Sequence, residues 1–455
     1  MRRLALPRLL ALYLSGLAVA PHPGLCAQQG SKPEAKRSAQ GESESPQPAT
    51  ELKEEAARQY QAGKYHQAIE IVERALQIAK EPEAHELRLL LARARSAIGV
   101  ELFNAGENRP AEAEFHAALK SAEDSYAHFG LGMLSFVRLE DDRAAEHLAE
   151  AARLEPTYAP TQKLLAVLEY RQGHEAPALE KIREACRLDP KDAEARALLD
   201  RWTIEGRWAA AFRSMDRGAF VVRIDPELPA ARVDSALALL EIARRDVAEA
   251  LALSSLPARI AGAGGRRRIP VVLYSSDKFY KATGSRHWVG GYFDGQLKLP
   301  VPGGTPGRAA ADDPKEREFR EAVRHEMAHL GVREIGPECP NWLNEGLAQY
   351  LERTVDSSHL RELLRAGAAR RVRFQDVPAR LWEIDDEALA RWTYLQGLGF
   401  VSFLAEKYQP FRLGLCLHAM REEGSVGRGF EVTYGETLEA LEKAFWSAVL
   451  KAPGG

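Results

Sequence analysis

The chain has 455 residues, of which 45% are hydrophobic and 28% are charged, so it has enough material for more than one packed core. Lys and Arg number 62 against 65 Asp and Glu, which leaves a formal net charge of −3. A strongly basic protein built to bind nucleic acid is therefore excluded, and we expect no nucleic-acid partner.

Residues 1–27 have the composition of a secretory signal peptide. Three arginines precede the apolar run at residues 9–20, and the segment contains no acidic residue. The pattern predicts cleavage after Ala27 and an extracytoplasmic protein, either periplasmic or secreted. Because the apolar run is shorter than the roughly 20 residues that span a bilayer, membrane attachment is not expected. A retained anchor and lipidation of Cys26 are the alternatives.

A linker and a repeat follow the leader. Residues 28–50 are rich in Ser, Gln, Pro and charge, which predicts a disordered linker. Within residues 51–205, three residue pairs lie 34 positions apart: Ala144 and Ala178, Ala151 and Ala185, Pro156 and Pro190. This period is typical of tetratricopeptide repeats, in which small residues mark the helix crossings and proline closes the second helix. About four repeats would form a solenoid whose groove binds a protein partner, or which only orients the next domain.

A second domain is predicted over residues 206–455, beginning as a small sheet with one helix. Its predicted elements are a strand at 218–224, a helix at 230–253, a strand at 269–275 and a hairpin at Asp294-Gly295. The Asp-Gly pair indicates a turn with positive φ at both positions. If the strand at 296–301 forms the sheet edge, it can pair with an extended substrate. The fold class is therefore mostly α with a small α+β part, ending in a helical lobe.

The segment "RHEMAH" carries the clearest chemical signal. Asp313 and Pro314 predict the start of a helix, on which His325 and His329 share one face about one turn apart. Two imidazoles at that spacing can bind one metal ion, and Glu326 lies beside the first of them. The alternative is a pair of surface or core histidines.

A candidate third ligand, Glu345, lies on a second predicted helix that begins after Pro340. A catalytic zinc ion needs three protein ligands and an open fourth position, so this residue argues for a metal site. The leucines and tryptophan of the second helix can pack it against the first helix and bring the carboxylate to the ion.

The pattern of His325-Glu326-x-x-His329 followed by "NEGLA" at 344–348 resembles the gluzincin metallopeptidases, in particular the peptidase MA-like group. The resemblance covers roughly residues 215–450 and implies one Zn²⁺ bound by His325, His329 and Glu345, with Glu326 as general base. Two departures are a gap of only 15 residues between His329 and Glu345 and the missing Gly-Ala-Met-Glu-Asn segment. The missing segment favours endopeptidase over aminopeptidase action.

Further residues are candidates for supporting roles. Tyr394 is the candidate donor to the oxyanion, with a packing tyrosine as the alternative. Gln349 and Asn344 are candidates for holding the outer ring nitrogens of the histidines. The C-terminal residues Tyr434, Leu438, Leu441 and Phe445 follow helical spacing and predict core. Three cysteines, Cys186, Cys339 and Cys416, indicate buried small hydrophobes, with one disulfide bridge as the alternative.

Together these patterns predict an extracytoplasmic zinc metallopeptidase that cleaves peptides or proteins, with repeats that recruit a partner or substrate. A scaffold that keeps the zinc fold without catalysis, and an aminopeptidase, are the rival hypotheses.

Overall fold

A computed structural model of the chain describes residues 48–251, 268–283, 291–303, 313–336, 339–352, 357–377 and 386–451. The predicted leader and all but the last three residues of the predicted linker lie outside these ranges. Among the residues described, no helix is both long and apolar enough to span a membrane. They form two compact units: residues 137–141 with 162 onward, and residues up to 136 with 142–161.

Nine helices precede the first strand in the described residues. They are α1 (Ala49–Gln61), α2 (Tyr65–Leu76), α3 (Glu83–Asn104), α4 (Asn108–Ser121), α5 (Ser125–Val137), α6 (Asp141–Leu154), α7 (Ala159–Arg171), α8 (Glu175–Leu188) and α9 (Ala193–Ala209). The first eight form four helix–turn–helix pairs, and one residue in each turn has a positive φ: Gly63 (73°), Gly106 (80°), Leu139 (59°) and Gly173 (82°). The alanines at the repeat positions 144, 151, 178 and 185 are buried, as expected for close helix contacts. The pairs agree with the predicted period, while their assignment as tetratricopeptide repeats stays a prediction.

A five-stranded mixed sheet follows, with strand order β1-β2-β3-β5-β4. The strands are β1 (Arg213–Arg217), β2 (Phe220–Ile224), β3 (Ile269–Ser275), β4 (Tyr292–Phe293) and β5 (Leu297–Val301). β2, β3 and β5 run parallel, whereas β1 and β4 pair antiparallel at the two edges. Strand β1 was not predicted, and its five residues are all exposed, so no apolar alternation marks it.

The structure answers one open question about the hairpin and shows that one expectation, a positive φ at both Asp294 and Gly295, was wrong. The strand at 296–301 is not an edge, because β5 lies between β3 and β4, and β4 forms the edge. The connection from Phe293 to Leu297 is a three-residue loop, in which Gly295 has φ 104° and Asp294 does not have a positive φ. Three-residue hairpin loops need one left-handed residue, and only the glycine supplies it here.

The other nine α-helices of the described residues lie between or after the strands in the chain. They are α10 (Ala230–Ala250), α11 (Ser276–Thr283), α12 (Pro314–Ile335), α13 (Asn341–Glu352), α14 (Ser357–Ala366), α15 (Glu387–Tyr408), α16 (Phe411–Glu423), α17 (Val426–Tyr434) and α18 (Leu438–Leu450). Asp313 caps α12 as predicted, because its side chain accepts a hydrogen bond from the Lys315 backbone N–H at 2.9 Å. Of the four predicted core residues of the C-terminal helices, Tyr434, Leu441 and Phe445 are buried, and Leu438 is partly buried against the same core.

The two faces of the sheet bury different clusters. On β5, Leu297, Leu299 and Val301 join the large core formed with α10, α12 and the C-terminal helices. Because side chains alternate along a strand, Lys298 points to the opposite face. That face carries Tyr292 on β4 and a smaller aromatic cluster around Tyr274.

Candidate metal centre

Helix α12 brings the two predicted histidine ligands together. The Nε2 atoms of His325 and His329 lie 3.0 Å apart, as expected for imidazoles one turn apart on the same face. Glu345 on α13 completes the group: its carboxylate oxygens lie 3.7 Å from Nε2 of His325 and 3.6 Å from Nε2 of His329. One ligand atom from each of the three residues lies within 4.8 Å of the other two.

Apolar packing sets the position of α13 against α12. Trp342, Leu343, Leu347 and Leu351 are buried in the same core as Met327 and Leu330 of α12. Since the apolar face of α13 is fixed in this way, its polar residues at 344 and 345 are directed to the histidines. This is the packing that the sequence predicted for the third ligand.

Two glycines allow a second close contact, between α13 and α15. A Cβ atom on Gly346 would lie 2.7 Å from the backbone C and O atoms of Gly397, and one on Gly397 would lie 2.5 Å from the Trp342 carbonyl oxygen. No residue with a side chain fits at such distances. The backbone next to Glu345 therefore lies directly against the turn of α15 that follows Tyr394.

The outer nitrogens of both histidines have hydrogen-bond partners. Nδ1 of His325 bonds to a carboxylate oxygen of Glu352, and Nδ1 of His329 lies 3.0 Å from Oδ1 of Asn344. Asn344 thus lies at the outer nitrogen of His329, and its supporting role stays a prediction. Gln349 is buried on α13, but neither Nδ1 atom has it as its partner.

Sequence reasoning missed Glu352. It lies seven residues after Glu345, two turns along the same face of α13. That spacing is a sequence signal that could have identified it. Burial lowers the pKa of His325, but Glu352, Glu345 and Glu326 raise it more, so that the pKa of the imidazole reaches about 10.

The donor set fits a zinc ion. A histidine that binds a metal ion must give up one of its two ring protons. Because a carboxylate oxygen only accepts hydrogen bonds, the remaining proton of a metal-binding His325 would lie on Nδ1, and Asn344 Oδ1 places the proton of His329 on Nδ1 in the same way. Both Nε2 lone pairs then face each other at 3.0 Å, an arrangement that needs a cation or a proton between them. Two imidazole nitrogens and one carboxylate are a ligand set typical of catalytic zinc.

Glu326 lies beside this group in a nearly dry position, with only 5% of its surface exposed. Burial raises the pKa of its carboxyl group, and Glu345 and Glu352 raise it further, against the lowering effect of the two histidines. The edge strand passes in front of it: a Cβ atom on Gly291, which precedes β4, would lie 3.4 Å from Cγ of Glu326. Gly291 is a second residue that the sequence analysis did not identify.

Tyr394 lies on α15, one turn before the glycine contact with α13. Burial raises the pKa of its hydroxyl far above the ordinary value, and the nearby Glu345 carboxylate adds to the shift. The hydroxyl therefore remains protonated at neutral pH and can donate a hydrogen bond.

Comparison with known protein families gave a match over the part of the chain that contains the candidate ligands. Residues 315–452 match the family model of the Peptidase MA superfamily, a stretch that contains α12 to α18 and all three candidate ligands. The match supports a gluzincin-type peptidase-like domain over these residues. A search of curated proteins gave no match.

Proposed function

We propose that the protein is a zinc-dependent metallopeptidase that hydrolyses internal peptide bonds. The observation that carries this proposal is the convergence of His325, His329 and Glu345, with the buried carboxyl of Glu326 next to them. The match to the Peptidase MA superfamily supports it, since that superfamily is typically zinc-dependent. A structural zinc site fills all four positions with protein ligands and has no use for an adjacent base, so three ligands plus Glu326 favour catalysis.

In this proposal His325, His329 and Glu345 hold one zinc ion. When bound, the ion acts as a Lewis acid that polarises a peptide carbonyl and acidifies water. Glu352 and Asn344 keep the two imidazoles in the tautomer that presents Nε2 to the ion.

The protein's own groups then move the protons. Glu326 is the general base: its carboxylate takes a proton from the attacking water and passes it to the nitrogen of the leaving amine. Its burial supports this role, because a carboxyl with a raised pKa is a stronger base than an exposed one. Tyr394 donates its hydroxyl proton in a hydrogen bond to the oxyanion that forms at the carbonyl.

We further propose that substrate binds along β4. This two-residue strand is the sheet edge, and Gly291 at its start lies against Glu326. An extended peptide that adds to this edge would present its backbone to the general base. The missing Gly-Ala-Met-Glu-Asn segment favours endopeptidase over aminopeptidase action. An extracytoplasmic location, from the leader at residues 1–27, and binding of a protein partner by the repeats complete the proposal.

The test is zinc content and hydrolysis of casein and quenched peptides by the purified protein, side by side with two variants. His325→Ala should lose zinc and activity together. Glu326→Gln should keep about one zinc ion per chain and lose hydrolysis by several orders of magnitude, because only the proton carrier is changed. Blocking the amino terminus of the peptide should not reduce cleavage.

Each alternative has its own result. Zinc binding without cleavage of any peptide by the wild type would favour the scaffold hypothesis. Cleavage only of peptides with a free amine would favour an aminopeptidase. A wild-type protein that binds no zinc would refute the site.

A further inference from the structure

A buried group of charged and polar side chains joins the sheet to helices α7 and α9. At its centre is Lys298 of β5, which is only 1% exposed. Its ammonium group donates to Glu205 of α9 at 2.6 Å, to Asp294 in the hairpin loop at 2.9 Å and to the Tyr292 hydroxyl at 3.2 Å. The hydroxyl of Tyr170 on α7 also lies within hydrogen-bond distance of the ammonium group, whose three N–H bonds are shared among the four neighbours. We call these five residues the lysine network.

Glu205 is shared between the helices and the hairpin. Its Oε2 atom accepts from the Tyr170 hydroxyl at 2.6 Å, and its Oε1 atom accepts from the Tyr292 hydroxyl at 2.8 Å. Outside the network, the Gln296 side-chain amide donates to the Tyr170 carbonyl oxygen at 2.9 Å. The hairpin is therefore held at both strands and in its loop.

The hairpin loop also lies directly on α7. A Cβ atom on Gly295 would be 2.5 Å from Cγ of Arg171, so only glycine fits between the loop and the helix. This contact and the network act on the same three-residue loop.

Packing alone does not explain the lysine network. Moving an ammonium and two carboxylates out of water is costly, and apolar side chains of the same volume would fill the space at lower cost. A network of this kind fixes one arrangement, because every donor and acceptor must meet its partner. Its effect is thus on the position of the hairpin more than on the amount of buried surface.

The position of the hairpin affects the candidate metal centre because the two faces of β4 meet different groups. Side chains on a strand alternate, so Tyr292 points to the lysine network while Gly291 and Phe293 face the other way. On that other side Gly291 meets Glu326, with its Cβ position 3.4 Å from Cγ of the glutamate. The edge strand is held by the network on one face, and on the other face the backbone at its start lies beside the general base, with no room for a larger residue at Gly291.

We propose that Lys298 and its partners are positioning residues for peptide hydrolysis: they fix β4 against Glu326 through helices α7 and α9. The two helices are then part of the catalytic unit and not a detachable recruiting module. This inference rests on the proposed function for its catalytic consequence, while the anchoring of the hairpin is independent of it.

The experiment uses the full chain with Tyr292→Phe, which removes one hydroxyl and keeps the ring, and with Lys298→Met. The matched control is Tyr274→Phe on β3, a buried tyrosine on the same sheet face that contributes no hydrogen bond to the network. Three measurements are made: amide hydrogen exchange over residues 291–298, zinc content, and the kinetics of quenched-peptide hydrolysis, which give kcat and KM.

We expect faster exchange over 291–298 in both network variants. The value of kcat should fall about tenfold in Tyr292→Phe and about 100-fold in Lys298→Met, because a small displacement of a reacting group costs that much. KM should change less, and zinc content should stay at the wild-type level. The control should match the wild type in all three measurements.

The outcomes separate this inference from the proposed function. Unchanged exchange in Tyr292→Phe, or faster exchange with unchanged kcat, would overturn it. Loss of zinc in parallel with kcat would also overturn it, because the effect would then be general unfolding. If Lys298→Met does not fold, Tyr292→Phe decides alone. If the wild type hydrolyses nothing, the proposed function and the catalytic consequence fail, while exchange still decides whether the network anchors the hairpin.

Discussion

Replacement of Glu352 should weaken zinc binding although this residue is not one of the three ligands. Its carboxylate accepts the Nδ1 proton of His325 and so directs Nε2 toward His329 and Glu345. Removing such an outer partner typically costs tenfold to 100-fold in metal affinity. We expect about a 100-fold loss for Glu352→Ala and about a tenfold loss for Glu352→Gln, whose amide oxygen can still accept. These losses correspond to about 2.7 and about 1.4 kcal/mol.

The assay is competition for zinc with a chromophoric chelator, at a fixed pH. Glu362→Gln on α14 is the matched control, because this glutamate is exposed and lies outside the candidate centre. It should bind zinc as the wild type does. The reasoning is refuted if Glu352→Ala binds zinc within about twofold of the wild type, since the ring of His325 would then be held by packing alone.

Three further predictions concern the oxyanion donor, the glycine contact and the repeats. Tyr394→Phe should lower kcat by about 100-fold with zinc retained, measured by peptide hydrolysis. Gly397→Ala would place a Cβ atom 2.5 Å from a backbone oxygen of α13, so it should cost about 1–3 kcal/mol of stability by thermal unfolding, whereas Gly427→Ala meets nothing within 4 Å and should not destabilise. Burial lowers the pKa values of His128 and His147, whose Nδ1 atoms lie 3.1 Å apart. The unfolded chain therefore binds more protons, stability should fall as the pH drops below about 6.5, and His147→Gln should reduce this dependence.

Each of these predictions has a result that would contradict it. Unchanged kcat in Tyr394→Phe would return this residue to a packing role. Equal melting temperatures for the two alanine variants would mean that α15 moves away from α13 at little cost. A pH dependence as steep in His147→Gln as in the wild type would assign the acid sensitivity to other groups.

The convergence of His325, His329 and Glu345 was predictable because most of its geometry is local. His325, Glu326 and His329 lie on one helix, and the N-cap residue Asp313 predicts where that helix begins. The position of Glu345 depends in addition on how α13 packs against α12. The apolar residues of α13 predict that packing. The spacing of residues along one helix does not depend on the rest of the fold. The structure therefore brings together the residues that the motif predicted.

The features that sequence analysis missed depend on distances between segments far apart in the chain. The spacing of Glu352 from Glu345 puts both on one face of α13, but only the placement of α13 against α12 shows that Glu352 reaches His325. Gly346 and Gly397 are 51 positions apart, and nothing in either segment shows that their backbones touch. The edge position of β4 follows from the order of strands in the sheet, which no single strand encodes. Lys298 is the charged residue in the otherwise apolar strand β5. A lysine at such a position is a sequence sign that a buried acidic partner lies nearby.

The thiols of the described chain have a practical consequence. Cys186, Cys339 and Cys416 are free thiols; Cys416 is buried, as predicted, whereas Cys186 and Cys339 are half-buried. Burial raises the pKa of all three, to about 12 for Cys416, so little thiolate exists at neutral pH. Because the thiolate is the species that reacts with maleimides and oxidants, these sulfurs should label slowly. A cysteine introduced on an exposed helix would then carry a dye selectively, without first replacing the native ones.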